Sequence, residues 1–202
     1  MISTLELLLH PVRLRLVHAM RAGGLLTTSD LCAQLPDLPK ATVYRQVERL
    51  VDGGVFEVES ARRVRGAVER RYRLVEGAAA VDMQAARSMT LDDHRAGFTA
   101  AAAALIGDFH AYLDRAGADP IADEVSYRQY TVWLSPEERS RLIRDIWGPL
   151  RALLENGPGD GRDPYLLSTI FFPSSGPPAK GEARPAPGGP SPPPALPGAP
   201  SR

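Results

Sequence analysis

The sequence predicts an α+β fold, on three observations. Short amphipathic segments divided by Gly and Pro punctuation fill residues 11–52. Two segments with strand-like alternation follow directly, at 55–59 and 68–74. Beyond residue 90, capping signals announce longer helices between aromatic, β-prone stretches.

Pro11 suits the first turn of a helix that runs to about Arg21, with Val12, Leu14, Leu16, Val17 and Met20 apolar and Gly23-Gly24 as the stop. Thr27, Thr28 and Ser29 offer N-cap oxygens to a second helix ending near Leu35, with Leu31, Cys32 and Leu35 as inward candidates. Pro36-Asp37-Leu38-Pro39 is a tight connection to a third helix, Lys40 to Asp52, closed by Gly53-Gly54. Two helices joined by so few residues form a helix-turn-helix. Val55-Phe56-Glu57-Val58-Glu59, a basic turn at Arg62-Arg63-Val64-Arg65-Gly66, and Val68 to Leu74 then read as a hairpin, the wing of a winged helix-turn-helix at about residues 5–75.

Residues 76–90 are Ala-rich and weakly patterned, a connector. Thr90 with Asp93 is a capping-box variant opening a helix to about Arg115. Phe98, Ala102, Leu105, Phe109 and Tyr112 share one stripe of that helix, widened by Ala101, Ile106 and Leu113; intrachain packing and a dimer seam both account for it. Tyr127 to Leu134 and Tyr165 to Phe172 read as short strands. Between them Ser135-Pro136-Glu137-Glu138 caps a helix carrying Leu142, Ile143, Ile146, Trp147, Leu150, Leu153 and Leu154. Residues 91–172 thus form a small mixed α/β region for dimerisation and effector sensing. Trp133, Trp147, Phe98 and Phe109 are candidates either for an apolar pocket or for plain core. Residues 173–202, dominated by Pro, Gly, Ala and Ser, are expected to be a disordered tail, with Pro-x-x-Pro docking as the alternative.

A hydrophobic content of 44% can fill such cores, no stretch reaches the roughly 18 to 20 apolar residues of a membrane span, and no basic flank marks a signal peptide. A cytoplasmic protein is expected. The one cysteine, Cys32, has no partner for an internal disulfide and reads as a small core residue. Although the formal charge is zero, residues 1–75 carry twelve Lys/Arg against eight Asp/Glu and residues 76–172 nine against fifteen, so positive charge gathers between Lys40 and Arg73.

On the third helix Val43, Val47, Leu50 and Val51 lie on one side. Ala41, Thr42, Arg45 and Arg49 lie on the other, with Lys40 at the N-terminal end and Tyr44 on the flank. Arginine forks onto guanine, threonine bonds a base edge or touches a thymine methyl, and alanine permits close approach, which is the chemistry of a major-groove helix. Arg62, Arg63 and Arg65 at the hairpin tip can reach a minor groove or flanking phosphates. Arg70, Arg71 and Arg73 on the return strand serve DNA or guard a sheet edge. Double-stranded DNA is the expected partner.

The segments Ala41-Thr42-Val43-Tyr44-Arg45-Gln46-Val47 and Val64-Arg65-Gly66-Ala67-Val68-Glu69-Arg70-Arg71-Tyr72-Arg73-Leu74 resemble ArsR-like winged-helix regulators of bacteria over roughly residues 5–75. The stretches Val132 to Glu138 and Leu166 to Pro173 are more loosely similar to the C-terminal region of one subgroup. The resemblance implies a homodimer on a partly palindromic operator. The metal-sensing branch uses a cysteine pair on a DNA-proximal helix, and Cys32 has no second thiolate, so no thiolate metal site is implied.

Asp92-Asp93-His94 reads as helix capping rather than a metal site, and His10, His18 and His110 lack ligand spacing. Gly157-Pro158-Gly159-Asp160-Gly161 lacks the context of a phosphate loop. Nothing pairs a nucleophile with a base, so neither catalysis nor a cofactor is expected. The reading is a DNA-binding repressor with an unidentified small-molecule effector. Its rivals are an interaction adaptor using the wing and the Pro-rich tail, and an enzyme in the C-terminal region.

Overall fold

The computed structural model describes residues 7–64, 67–78, 83–157, 159 and 161–174. The chain divides into two compact units, one of residues 1–125 with 160–168 and one of 126–159 with 169–202.

In the first unit, α1 spans Pro11–Gly23 and ends where Gly24 turns to φ 72°, a left-handed conformation that glycine adopts without Cβ strain. A short strand, β1 (Leu25–Thr27), leads into α2 (Thr28–Gln34). Thr27 caps α2 reciprocally: the Asp30 amide donates to Thr27 Oγ1 at 3.1 Å, and the Thr27 amide donates to Asp30 Oδ2 at 2.8 Å. These bonds, led by the Thr27 amide, hold the Asp30 carboxyl below its usual range. After the Pro36–Pro39 turn comes α3 (Lys40–Asp52), followed by β2 (Phe56–Val64) and β3 (Ala67–Leu74).

The three strands form an antiparallel sheet in the order β1-β3-β2. The register places Arg73 between Leu25 and Glu57, and Tyr72 between Leu26 and Val58, with a bulge at Val58/Ser60 in β2. β3 is therefore the central strand where β1 flanks it, so Arg71 and Arg73 do not guard an edge, whereas Arg70 lies one residue beyond the reach of β1. Helices and sheet close on one core, with Leu16, Val17 and Met20 from α1, Leu31 from α2, Val43, Val47 and Leu50 from α3, Val55 just before β2, and Phe56 and Tyr72 from the sheet. Each large member contributes about 1.5–3 kcal/mol of apolar burial.

Within the nominal connector, residues Met83–Ser88 form the short helix α4. The helix opened by Thr90 is α5, Leu91–Leu113, with the expected reciprocal Thr90/Asp93 cap. α5 packs on α1, so it shares the unit of the winged domain, and the division of the chain falls after residue 125 rather than near 91. The bulky stripe is not the face it buries. Ala100 and Ala104 are buried, while Phe98 and Ile106 are more than half exposed. A Cβ on Gly97 would stand 3.3 Å from Leu9 Cδ2, and one on Gly107 would stand 3.0 Å from Arg15 Nη1. The packed stripe is thus Gly97, Ala100, Ala104 and Gly107, whose small side chains admit a close approach that the aromatic stripe would block.

In the second unit, Ser135 caps α6, Pro136–Leu153, through the expected box with Glu138. No residue of α6 is buried. The expected strands at Tyr127 to Leu134 and Tyr165 to Phe172 are not formed; both segments lack regular secondary structure. Their aromatic and β-branched residues fit a pleated surface, but among the described residues no strand is formed alongside either segment. Most of the expected tail, residues 175–202, lies outside the described residues. No helix among the described residues is long and apolar enough to cross a membrane.

Candidate nucleic-acid interface

The sequence of α3 divides the helix into two faces. Val43, Val47 and Leu50 are buried and Val51 half-buried, which anchors one side in the core. Lys40, Ala41, Tyr44, Arg45 and Arg49 are exposed, and Thr42 is half-buried, so the residues expected to read bases stand on the outward side, with Thr42 set deeper than the rest. Gln46 is also buried, and its Oε1 has no hydrogen-bond partner among the described residues.

A charged clasp fixes the turn in front of this helix. Arg15 of α1, with its side chain 5% exposed, donates Nη1 to Asp37 Oδ2 and Nη2 to Asp37 Oδ1, the latter at 2.9 Å, and donates Nε to Asp108 Oδ1 at 2.7 Å. Asp108 belongs to α5. Its other oxygen lies 2.8 Å from His18 Nδ1, and because a carboxylate oxygen only accepts, the ring proton resides on Nδ1. The fork to Asp37 is bidentate, the geometry that gives Arg–carboxylate pairs their strength and direction. Hydrogen bonding to Asp37 raises the Arg15 pKa above its usual value against the effect of burial, and the same bond holds the Asp37 carboxyl below its own. One guanidinium thus connects α1, the α2–α3 turn and α5.

The wing is less free than its arginine count implies. Arg73 donates to Glu57 at 2.6 Å and to Glu59 at 2.7 Å, which neutralises the base of the hairpin. Arg62 faces Glu69 at 3.6 Å, a loose and exposed pair. Among the described residues Arg63 and Arg70 have no ion pair, and Arg71 lies close enough to Asp30 to stabilise its charge. Arg65, the third arginine expected at the tip, lies outside the described residues. Positive charge on the wing is therefore concentrated toward its distal half.

Between α2 and α3 lies a cleft of about 220 Å³ lined by Ser29, Cys32, Ala33, Lys40 and Tyr44. Cys32 is half-buried; it packs against the core on one side and lines this cleft on the other. The candidate dimer and effector residues are placed separately. Phe98, Trp133 and Trp147 are half exposed or more, and Leu105, Phe109 and Tyr112 are half-buried. Phe109 and Tyr112 stack with ring centres 5.9 Å apart. Tyr112 donates its hydroxyl to Asp123 at 2.6 Å, which pushes its pKa up to about 12.

Sequence reasoning missed Arg13, Arg15, His18, Asp37 and Asp108. One signal was present: Arg13 heads the stripe Arg13, Leu16, Val17 and Met20, spaced for the inward face of α1, and both Arg13 and Arg15 are buried there. A cation on that stripe announces either a buried acidic partner or a ligand.

Residues 8–59 match a helix-turn-helix domain family, one that includes ArsR-type regulators. No curated protein matches the chain. The match spans α1 to the first half of β2, and with the wing that follows it this part of the chain is a winged helix-turn-helix domain, the architecture of a DNA-binding regulator.

Proposed function

We propose that this chain is a sequence-specific transcriptional regulator of the ArsR-like kind, a homodimer that binds a partly palindromic operator and represses by occupying it. The observation that carries the reading is the conjunction of the outward face of α3, bearing Lys40, Ala41, Tyr44, Arg45 and Arg49, with a wing whose unpaired arginines lie toward its tip. Each protomer would lay α3 in a major groove and the wing along the flanking backbone, with half-sites about 10 base pairs or a multiple apart. The exposed stripe of α5, with Phe98, Ile106 and Leu113, supports a second copy as its cover. A small-molecule effector acting on the region beyond residue 90 would reach α3 through Asp108, Arg15 and Asp37. The role is one of binding in the cytoplasm and involves no catalysis.

Selection of duplexes from a random library, at two salt concentrations, tests this reading. An enriched inverted repeat is expected. Binding without sequence preference, or none, would sink the regulator and favour an adaptor that docks proteins through the wing and tail.

A further inference from the structure

Two arginines of α1 stand two residues apart and are treated oppositely. Arg15 is buried and saturated with carboxylates. Arg13 is 92% buried by its 8% exposure, its Nε is sealed from solvent, and no acceptor among the described residues meets it. At the head of the same helix, His10 Nδ1 is likewise sealed and has no hydrogen-bond partner among the described residues. α1 packs on α3, and from α3 the charges of Arg49 and Arg45 reach this place. Burial and then Arg13 and Arg49, with a smaller share from Arg45, press the His10 pKa down against a backbone hydrogen bond that raises it, and burial and then Arg49 press the Arg13 pKa down. Among the described residues no carboxylate forms an ion pair with any of the four, although Glu48 and Asp52 lie on the same helix as the two outer arginines. The other buried arginine of this domain is paired, Arg15 with Asp37 and Asp108. A largely buried guanidinium whose Nε has no acceptor, and which has no counter-charge among the described residues, is costly unless something else supplies the negative charge.

We propose that the seam between α1 and α3 is an oxyanion site, in which His10, Arg13, Arg45 and Arg49 together receive one phosphate group. The phosphate comes either from the backbone of the duplex or from a free phosphorylated molecule. Arginine suits both, since its planar donors fork onto two phosphate oxygens. The duplex source rests on the function proposed above; the free source does not. In either case the ligand would be clamped between the first helix and the base-reading helix, so occupancy would set the angle at which α3 is presented.

The test uses the full chain in two arms. In the first, thermal unfolding is followed with sodium phosphate against sodium chloride at equal ionic strength, for the wild type, Arg13→Met and Arg49→Gln. Phosphate should raise the wild-type midpoint and leave both variants where chloride leaves them; Arg49 is exposed, so its variant reports even if Arg13→Met folds poorly. In the second, binding to the selected duplex is titrated against salt, and Arg13→Met should lower the slope of log affinity on log salt by about 1 while leaving sequence preference intact. A phosphate-dependent midpoint shift with an unchanged slope assigns the site to a free anion. A changed slope assigns it to the duplex. If neither readout separates Arg13→Met from the wild type, the site does not exist. If the wild type binds no duplex, the regulator reading fails and the phosphate arm still decides the site.

Discussion

The two sides of α1 solve the same problem differently. Toward α5 and the α2–α3 turn, the buried Arg15 meets Asp37 and Asp108 and every nitrogen has an acceptor; toward α3, the buried Arg13 meets the charge of Arg49, and its Nε has no acceptor among the described residues. The first arrangement is complete in the protein alone and is structural. The second is complete only with something added. A buried cation is informative through its partners, not through its burial.

The largest expected effect lies on the complete side. Arg15→Ala leaves Asp108 buried without its guanidinium and should cost about 3–5 kcal/mol in denaturant unfolding; a loss below about 1 kcal/mol would mean that the clasp is ornamental. Asp108→Asn, which retains shape and removes charge, should cost about 1–3 kcal/mol. In a double-mutant cycle with Arg15→Ala most of that cost should disappear, and full additivity would uncouple α5 from the turn.

The two sides should also part with pH. The Arg15 hydrogen bond holds the Asp37 carboxyl below its ordinary 3.8. Its stabilising share is therefore complete above that pH and is lost as pH falls through the lowered value, and Arg15→Ala should erase this acid limb. Burial and Arg13 hold His10 below its ordinary 6.5. The unfolded chain then takes up that proton first, so stability should begin to decline as pH drops below 6.5, well above the carboxylate range; His10→Gln should remove the early decline, and a profile flat to pH 5 would contradict the cationic surroundings of His10.

The smallest change is expected on the incomplete side. Arg13→Met exchanges an unpaired buried charge for apolar bulk and should leave stability in chloride unchanged or raise it by up to about 1 kcal/mol. A large loss would show that Arg13 has a partner after all and would erase the contrast.

Much of the domain was legible in the sequence because its signals are local. The Thr90/Asp93 and Ser135/Glu138 boxes start helices where they were expected, and the two faces of α3 follow from its 3.6-residue period. β1 was not legible, because three residues, Leu25 to Thr27, have no pattern until β3 lies beside them. The packing face of α5 was missed for a different reason. A search for apolar stripes weights Phe and Leu, whereas close helix contact selects Gly and Ala. The strands expected at 127–134 and 165–172 show the converse error, in which β-prone composition was taken for a sheet without a pairing strand. For the candidate interface, Lys40, Ala41, Tyr44, Arg45 and Arg49 could be placed on the outward face from periodicity alone. The clasp could not, since Arg15 and Asp108 are 93 residues apart.

Gly97 and Gly107 have a mechanical consequence. They sit ten residues apart on α5, about 15 Å along its axis, and each faces a fixed feature, Leu9 in one case and the Arg15 guanidinium in the other. They act as two notches cut to one spacing. A screw shift of one residue, about 1.5 Å along the axis with about 100° of rotation, would bring a Cβ-bearing neighbour to both places at once. Two notches at a fixed spacing thus set both the height and the rotation at which the long helix seats, so that a side chain larger than hydrogen at either one would disturb the register of the whole contact.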